Sequence, residues 1–87
     1  MLQDLINHEV VIDMRNTFVC LGKLLRVDGE FLELTDADVH DLRDADTSRE
    51  NYVAESRMTG IKRNRKRVLI DRTDIVAIAK LADVVDD

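Results

Sequence analysis

The stretch HEVVIDMRNTFVCLGKLLRVDGEFLELTDA, residues 8–37, decides the fold, because it contains three strand-like runs separated by two turn signals. We predict strands at Val10–Met14, Phe18–Val27 and Phe31–Thr35, with a turn at RNT and an Asp-Gly turn, of the kind that permits positive φ, at VDGE. The second run is apolar at both parities, as expected of a strand buried on both faces. Gly22 within that run indicates a sharp bend or a close approach of another backbone.

The segment that follows, about 38–62, lacks strand alternation and is predicted to be an insert carrying one short helix. Thr47 and Glu50 have the spacing of a capping box, which predicts a helix from about Ser48 to Met58. Gly60 suits the left-handed position just beyond the helix end. One face of the helix would present Tyr52, Val53 and Ser56.

Two further strands, Arg67–Asp71 and Ile75–Leu81, are predicted on either side of the polar turn DRTD. The segment 83–87 is acidic and is predicted to be a frayed tail. Residues 1–87 are therefore interpreted as one all-β domain with a helix inserted before the fourth strand. This order of elements predicts a small, strongly bent, partly open barrel.

The composition excludes several classes of function. The chain has only three aromatic residues, which excludes a base-stacking surface built from several rings. No apolar run approaches a membrane span, the N-terminus does not resemble a signal peptide, and the single cysteine, Cys20, fits a reducing cytoplasm. Because there is no glycine-rich phosphate loop and no nucleophile–base motif, we expect a protein that is not an enzyme and needs no cofactor.

Charge is segregated along the chain. The net charge is −5, yet the twelve residues from Ser56 to Arg67 contain six cations and no acid. The acids concentrate in Asp36–Glu50. The cationic cluster Lys62–Arg67 therefore has three interpretations: a phosphate track, a solvated loop, or a partner for the acidic stretch of the same or a neighbouring subunit. Its richness in arginine favours a bidentate partner, which phosphate and carboxylate both provide.

Metal binding is not expected. Asp36, Asp38 and His40 stand at the first, third and fifth positions of a calcium loop, but Asp41 replaces the required glycine and Thr47 replaces the terminal glutamate. The two histidines have no ligand-spaced partner for zinc. We therefore predict no metal site, and we expect Cys20 to be a buried small hydrophobic residue.

Residues on either side of the insert resemble the two motifs of the Sm and Sm-like (LSm) proteins. By this resemblance the chain would be a divergent member of bacterial type. The first motif is matched by Met14, Gly22, Leu24 and Asp28, followed by Leu32, Leu34, Asp36 and Ala37. The second motif is matched by Ile70, Ile75 and Ile78. Together these residues cover about two thirds of the chain, and the insert interrupts them.

The resemblance implies a bent five-stranded Sm-like barrel preceded by a short helix, here at most Leu2 to Asn7. It also implies homo-oligomeric rings of five to eight subunits, in which the fourth strand pairs with the fifth strand of a neighbour. The interface would contain Val68, Ile70, Ile75, Ala77 and Ala79. Such pairing would also protect two apolar strand edges from aggregation.

The family's nucleotide pocket is only partly represented. Asp28 is present, but Phe31 stands where the family has a base-reading asparagine. In the second motif Asp71 and Arg72 replace the family's arginine and glycine.

Two functions follow as hypotheses. The first is a non-catalytic ring that binds single-stranded RNA, with Lys62, Arg63, Arg65, Lys66 and Arg67 on phosphates and Arg72 and Phe31 as secondary contacts. The alternative is an Sm-like scaffold that has lost RNA binding and uses its segregated charges for subunit or partner contacts. The inserted helix is a candidate surface for a protein partner in either case.

Overall fold

The computed structural model describes residues 1–44 and 46–85, and within them five antiparallel strands form one strongly bent sheet accompanied by a single α-helix. The strands are β1 Glu9–Met14, β2 Phe18–Val27, β3 Phe31–Asp41, β4 Arg65–Asp71 and β5 Ile75–Lys80, and the helix, α1, is Arg49–Thr59. Their order across the sheet is β4-β3-β2-β1-β5. The predicted all-β class, with a helix before the fourth strand, is confirmed.

At Gly22, β2 lies unusually close to β3, and the register between the two strands shifts there. Leu21 lies opposite Asp38 and Lys23 lies opposite Thr35, so β3 places two residues across from one and forms a β-bulge. Asp36 in this bulge has φ of 52°. A Cβ on Gly22 would lie 3.0 Å from the Cβ of Ala37, which confirms the predicted close approach.

The predicted end of the third strand at Thr35 is wrong, since β3 continues to Asp41. The bulge at Asp36 interrupts the alternation of apolar and polar residues, which removed the strand signal from the sequence. The continuation supplies partners for the first half of β2, where Phe18 pairs with Asp41 and Cys20 pairs with Val39.

Side chains are buried on both faces of the sheet. The inner face holds the main core, formed by Val10, Ile12, Cys20, Leu24, Leu32, Leu34, Ala37 and Ile70. On the outer face a second core of Val11, Val19, Leu21, Val53 and Leu81 lies beneath α1 and the 3-10 turn Leu81–Asp83. The first half of β2 is therefore buried on both faces, as its unbroken apolar pattern predicted.

The helix begins one residue later than its predicted capping box requires. Ser48 is the N-cap, and its Oγ accepts a hydrogen bond from the backbone N–H of Asn51 at 3.2 Å, so the assignment of Thr47 as the cap is wrong. The helix ends one residue later than predicted, at Thr59. Gly60 follows it with a positive φ of 97° and donates its N–H to the carbonyl of Ser56. Of the helix face predicted to carry Tyr52, Val53 and Ser56, Val53 and Ser56 are buried and Tyr52 is half-buried.

The turn between β2 and β3 does not use the positive φ that its Asp-Gly pair permits, since Gly60 is the one glycine with positive φ. Instead Asp28 Oδ1 accepts the backbone N–H of Glu30 at 2.8 Å and of Phe31 at 2.7 Å. The turn is therefore built by a carboxylate that substitutes for a backbone acceptor.

The remaining boundaries differ little from the predicted ones. The β4 strand begins two residues earlier than expected, at Arg65, and β5 ends one residue earlier, at Lys80. The N-terminal turn is a 3-10 helix over Leu2–Leu5, shorter than the limit set by Asn7. The predicted acidic tail ends in Asp86 and Asp87, which lie outside the described residues.

Candidate nucleic-acid interface

The cationic cluster, residues 62–67 and called here the basic segment, forms the end of the loop after α1 and the start of β4. All six of its residues are exposed. Arg65 pairs with Ala37 and Arg67 pairs with Thr35, so the segment lies beside the bulge of β3. Its backbone is thus partly ordered by the sheet while its charged groups reach water.

Two of these cations have carboxylate partners in the same chain. Arg63 contacts Asp36 at 2.5 Å and Arg67 contacts Glu33 at 3.5 Å. Within the described ranges, no carboxylate lies within 4 Å of the charged groups of Lys62, Arg65 and Lys66. Both Arg63 and Asp36 are exposed, and exposed ion pairs contribute little free energy, so Arg63 can exchange its carboxylate for a phosphate at small cost. Glu33, the partner of Arg67, is buried.

Phe31 and Arg72 lie at the other end of β3 and β4. Arg72 Nη1 donates to the carbonyl of Asp28 at 2.5 Å, and the Arg72 N–H donates to the carbonyl of Glu30 at 2.9 Å. The side chain of Phe31 is about one third exposed, at 36%. Arg72 therefore joins the two loops that the sequence motifs mark.

Asp71, which occupies the arginine position of the second motif, has a local structural role. Its Oδ1 accepts both the N–H and the hydroxyl of Thr73, at 2.9 and 2.8 Å, and so caps the turn Arg72–Asp74. These hydrogen bonds lower the pKa of Asp71. The pKa of Asp28 is lowered in the same way, chiefly by the N–H groups of Phe31 and Glu30.

The seven residues predicted to bind RNA therefore fall into two groups. Between the pairs Thr35–Arg67 and Phe31–Asp71 the ladder runs four residues, about 13 Å at the usual rise of a strand. The basic segment lies at one end of this ladder, and Phe31 and Arg72 lie at the other.

A shallow groove on the outer face of β2, β3 and β4 runs from Arg67 of the first group to Phe31 of the second. Two adjoining cavities of about 250 and 270 Å³ share Arg26, Glu33 and Leu69, and the first extends to Phe31 while the second extends to Arg67. Glu33 is only 7% exposed because it lies between two guanidinium groups, Arg26 at 2.7 Å and Arg67 at 3.5 Å. The groove thus combines cationic groups with the exposed side chain of Leu69.

Sequence reasoning missed the three shared residues of this groove. Arg26, Glu33 and Leu69 lie in one row across the sheet, because Arg26 pairs with Glu33 and Glu33 pairs with Leu69. Arg26 and Glu33 are visible as polar positions within predicted strands, whereas Leu69 is apolar and carries no such signal.

The outermost strands have the exposure expected of pairing edges. In the described sheet β4 pairs only with β3, and β5 pairs only with β1. Of the predicted interface residues, Ile70 is buried in its own core and Val68 and Ile75 pack against that core, whereas Ala77 and Ala79 are exposed. Val76, which the interface prediction omitted, is 67% exposed on β5.

Three further observations concern metal ligands, the cysteine thiol and membrane-spanning helices. No group of three or more metal-ligating side chains lies there. Burial raises the pKa of the Cys20 thiol to about 12, so the thiol is a poor nucleophile. Among the helices of residues 1–44 and 46–85, none is long and apolar enough to cross a membrane.

No protein-family model matches the sequence, and no curated protein matches it. The fold, in contrast, is similar to that of the Sm protein of Pyrococcus abyssii, whose structure was solved in complex with a uridine heptamer. The two structures share 15% sequence identity with a TM-score of 0.62, over 90% of this chain and 89% of that chain. Such coverage, together with the bent five-stranded sheet and its single helix, confirms the architecture that the two sequence motifs predicted. The chain has the Sm-like fold.

Proposed function

We propose that the protein is a non-catalytic, ring-forming Sm-like protein of the cytoplasm that binds single-stranded RNA through its basic segment. The observation that carries this proposal is the groove on the outer face, which runs from Arg67 of the basic segment to Phe31 and Asp28. Arg72 adjoins that end of the groove through its hydrogen bond to the carbonyl of Asp28. The match to an Sm protein solved with a uridine heptamer supports the same class of ligand.

The two ends of this surface would make different contacts with RNA. Lys62, Arg65 and Lys66 offer cationic groups to phosphates, and each contact releases condensed counterions. Phe31 offers one ring for stacking, which contributes about 1–3 kcal/mol for a base. Arg72 donates one side-chain N–H to the carbonyl of Asp28. A guanidinium has five N–H donors, so others remain for a phosphate or a base.

Ring formation would follow from pairing of β4 of one subunit with β5 of the next, in rings of five to eight subunits. Since Ile70 is already buried within its own subunit, it would contribute through its backbone groups. The exposed and small Ala77 and Ala79 would allow the neighbouring strand to approach closely. Closure of the ring would then leave no free edges.

One observation favours the alternative, an Sm-like scaffold without RNA binding. Arg63 and Arg67 already contact Asp36 and Glu33, so part of the basic segment has carboxylate partners within the chain. In this alternative the unpaired cations would contact a neighbouring subunit or a protein partner.

Fluorescence anisotropy of a labelled single-stranded RNA, titrated with protein at low and at physiological salt, distinguishes the two. RNA binding predicts an affinity that persists at physiological salt and declines linearly in log–log form as salt rises. Absence of binding even at low salt would contradict RNA binding and leave the scaffold. Sedimentation velocity on the same samples reports whether a closed oligomer forms.

A further inference from the structure

Asn64 is the one uncharged residue in the basic segment, and its side chain is fully engaged. Its Nδ2 donates to the carbonyl of Val39 at 3.0 Å and to Asp38 Oδ1 at 3.1 Å, and its Oδ1 accepts the N–H of Val39 at 3.0 Å. Its backbone N–H also donates to the carbonyl of Ala37 at 2.8 Å. The flanking cations make no comparable set of contacts to β3.

This geometry explains why an amide stands at this position. The β3 strand extends to Asp41, whereas β4 begins at Arg65, opposite Ala37. The outer backbone groups of Val39 are therefore beyond the reach of the β4 ladder. A carboxamide both donates and accepts, so Asn64 substitutes for the missing peptide group, which neither lysine nor arginine can do.

The contact continues from Asn64 to the inserted helix. Asp38 is only 7% exposed, and its second oxygen, Oδ2, accepts a hydrogen bond from the hydroxyl of Tyr52 on α1. The Tyr52 ring stacks on His40 with a centroid distance of 4.1 Å. Burial, followed by the contact with Asp38, raises the pKa of Tyr52, so its hydroxyl stays protonated and remains a donor.

We propose that Asn64 is a positioning residue for RNA binding, which holds the basic segment on β3 and, through Asp38 and Tyr52, couples its order to the inserted helix. This inference rests on the proposed function. A segment ordered before binding loses less conformational entropy when RNA arrives, and the gain appears as affinity without any added contact. Because Asn64 itself contacts no phosphate in this proposal, its loss should leave the number of phosphate contacts unchanged.

The test compares Asn64→Ala with wild type in RNA anisotropy over a range of salt. We expect Asn64→Ala to bind about tenfold more weakly, which corresponds to about 1.4 kcal/mol, with an unchanged slope of log Kd against log salt. Lys62→Gln should instead reduce that slope by about 0.7. Tyr52→Phe, which keeps the ring and removes only the hydroxyl, should weaken binding less than Asn64→Ala, again at constant slope.

Asn51→Ala is the matched control, because Asn51 is an exposed asparagine on α1 that contributes only its backbone N–H to the described side-chain hydrogen bonds. It should bind as wild type does. If Asn64→Ala does not fold, Tyr52→Phe carries the test. Unchanged RNA affinity in folded Asn64→Ala, or in Tyr52→Phe where Asn64→Ala does not fold, would overturn the positioning role; the measurement is made well below the melting temperature of the variant. A wild type that does not bind RNA would overturn the proposed function itself.

Discussion

Replacement of Lys62 and Lys66 by glutamine gives the sharpest test of the basic segment. Both lysines are exposed, and no described carboxylate lies within salt-bridge distance of either, so the change removes two charges without stranding an acid. Glutamine keeps most of the length and the polarity of lysine. Any loss of RNA affinity is then attributable to the two cations.

The expected magnitude follows from counterion release. For single-stranded nucleic acid each phosphate contact contributes about 0.7 to the slope of log Kd against log salt, so two lost contacts should reduce the slope by about 1.4. The same relation predicts binding about tenfold weaker at roughly 0.15 M monovalent salt, with the difference vanishing as salt approaches about 1 M. Anisotropy titrations at four or more salt concentrations measure both quantities.

A variant with Arg43→Gln and Arg57→Gln is the matched control. It also makes the net charge more negative by two, but Arg43 contacts Asp41 at the end of β3 and Arg57 contacts the carbonyl of Val84, both outside the basic segment. Equal loss of affinity in the two variants would refute a local phosphate track and leave only net charge. Dissociation of the oligomer by the lysine variant, seen in sedimentation velocity, would favour the scaffold instead.

Four further outcomes are expected. Gly22→Ala should lower the free energy of unfolding by about 1–3 kcal/mol in urea titrations, because the new Cβ would lie 3.0 Å from two side chains; an unchanged midpoint would contradict the close approach. Val76→Asp should weaken oligomer formation in sedimentation velocity without unfolding the subunit, whereas Val85→Asp, equally exposed but outside the strands, should not; equal behaviour would argue against β5 as a pairing edge. Cys20 should react with iodoacetamide only after denaturation, and rapid native labelling followed by mass spectrometry would show the buried thiol to be accessible. Asp28 has a lowered folded pKa, so its stabilisation is present above the unfolded value of about 3.9 and is lost as pH falls through the folded value; Asp28→Asn should flatten the decline of melting temperature below about pH 4, and an unchanged decline would exclude this role.

Local patterns in the sequence were sufficient where a single segment determines its own structure. The bounds of β2, Phe18–Val27, follow from its apolar run and the turns that flank it. The close approach at Gly22 was predicted because a glycine within a strand pattern leaves room for a neighbouring backbone. The residues that resemble the two Sm motifs also lie within single strands and turns, and they predicted the fold although no family model and no curated protein matches the sequence.

The candidate site could be predicted only in part. The basic segment was evident from composition, but its separation from Phe31 and Arg72 depends on the register of β3 against β4. The groove between them depends on a third strand, since Arg26 reaches Glu33 from β2.

What the sequence by itself determined is the set of strands, the hairpin turns, the inserted helix and the position of the positive charge, because each depends on residues near one another in the chain. What only the tertiary structure decided is how distant residues meet. The bulge at Asp36 breaks the alternation of apolar and polar residues, so the extension of β3 had no sequence signal. Backbone pairing with the first half of β2 stabilises the extension. That extension in turn gave Asn64 an unpaired backbone to bind and gave Tyr52 a carboxylate to contact. Hydrogen-bond partners 14 to 25 residues apart are selected by the bend of the sheet, which no local pattern encodes.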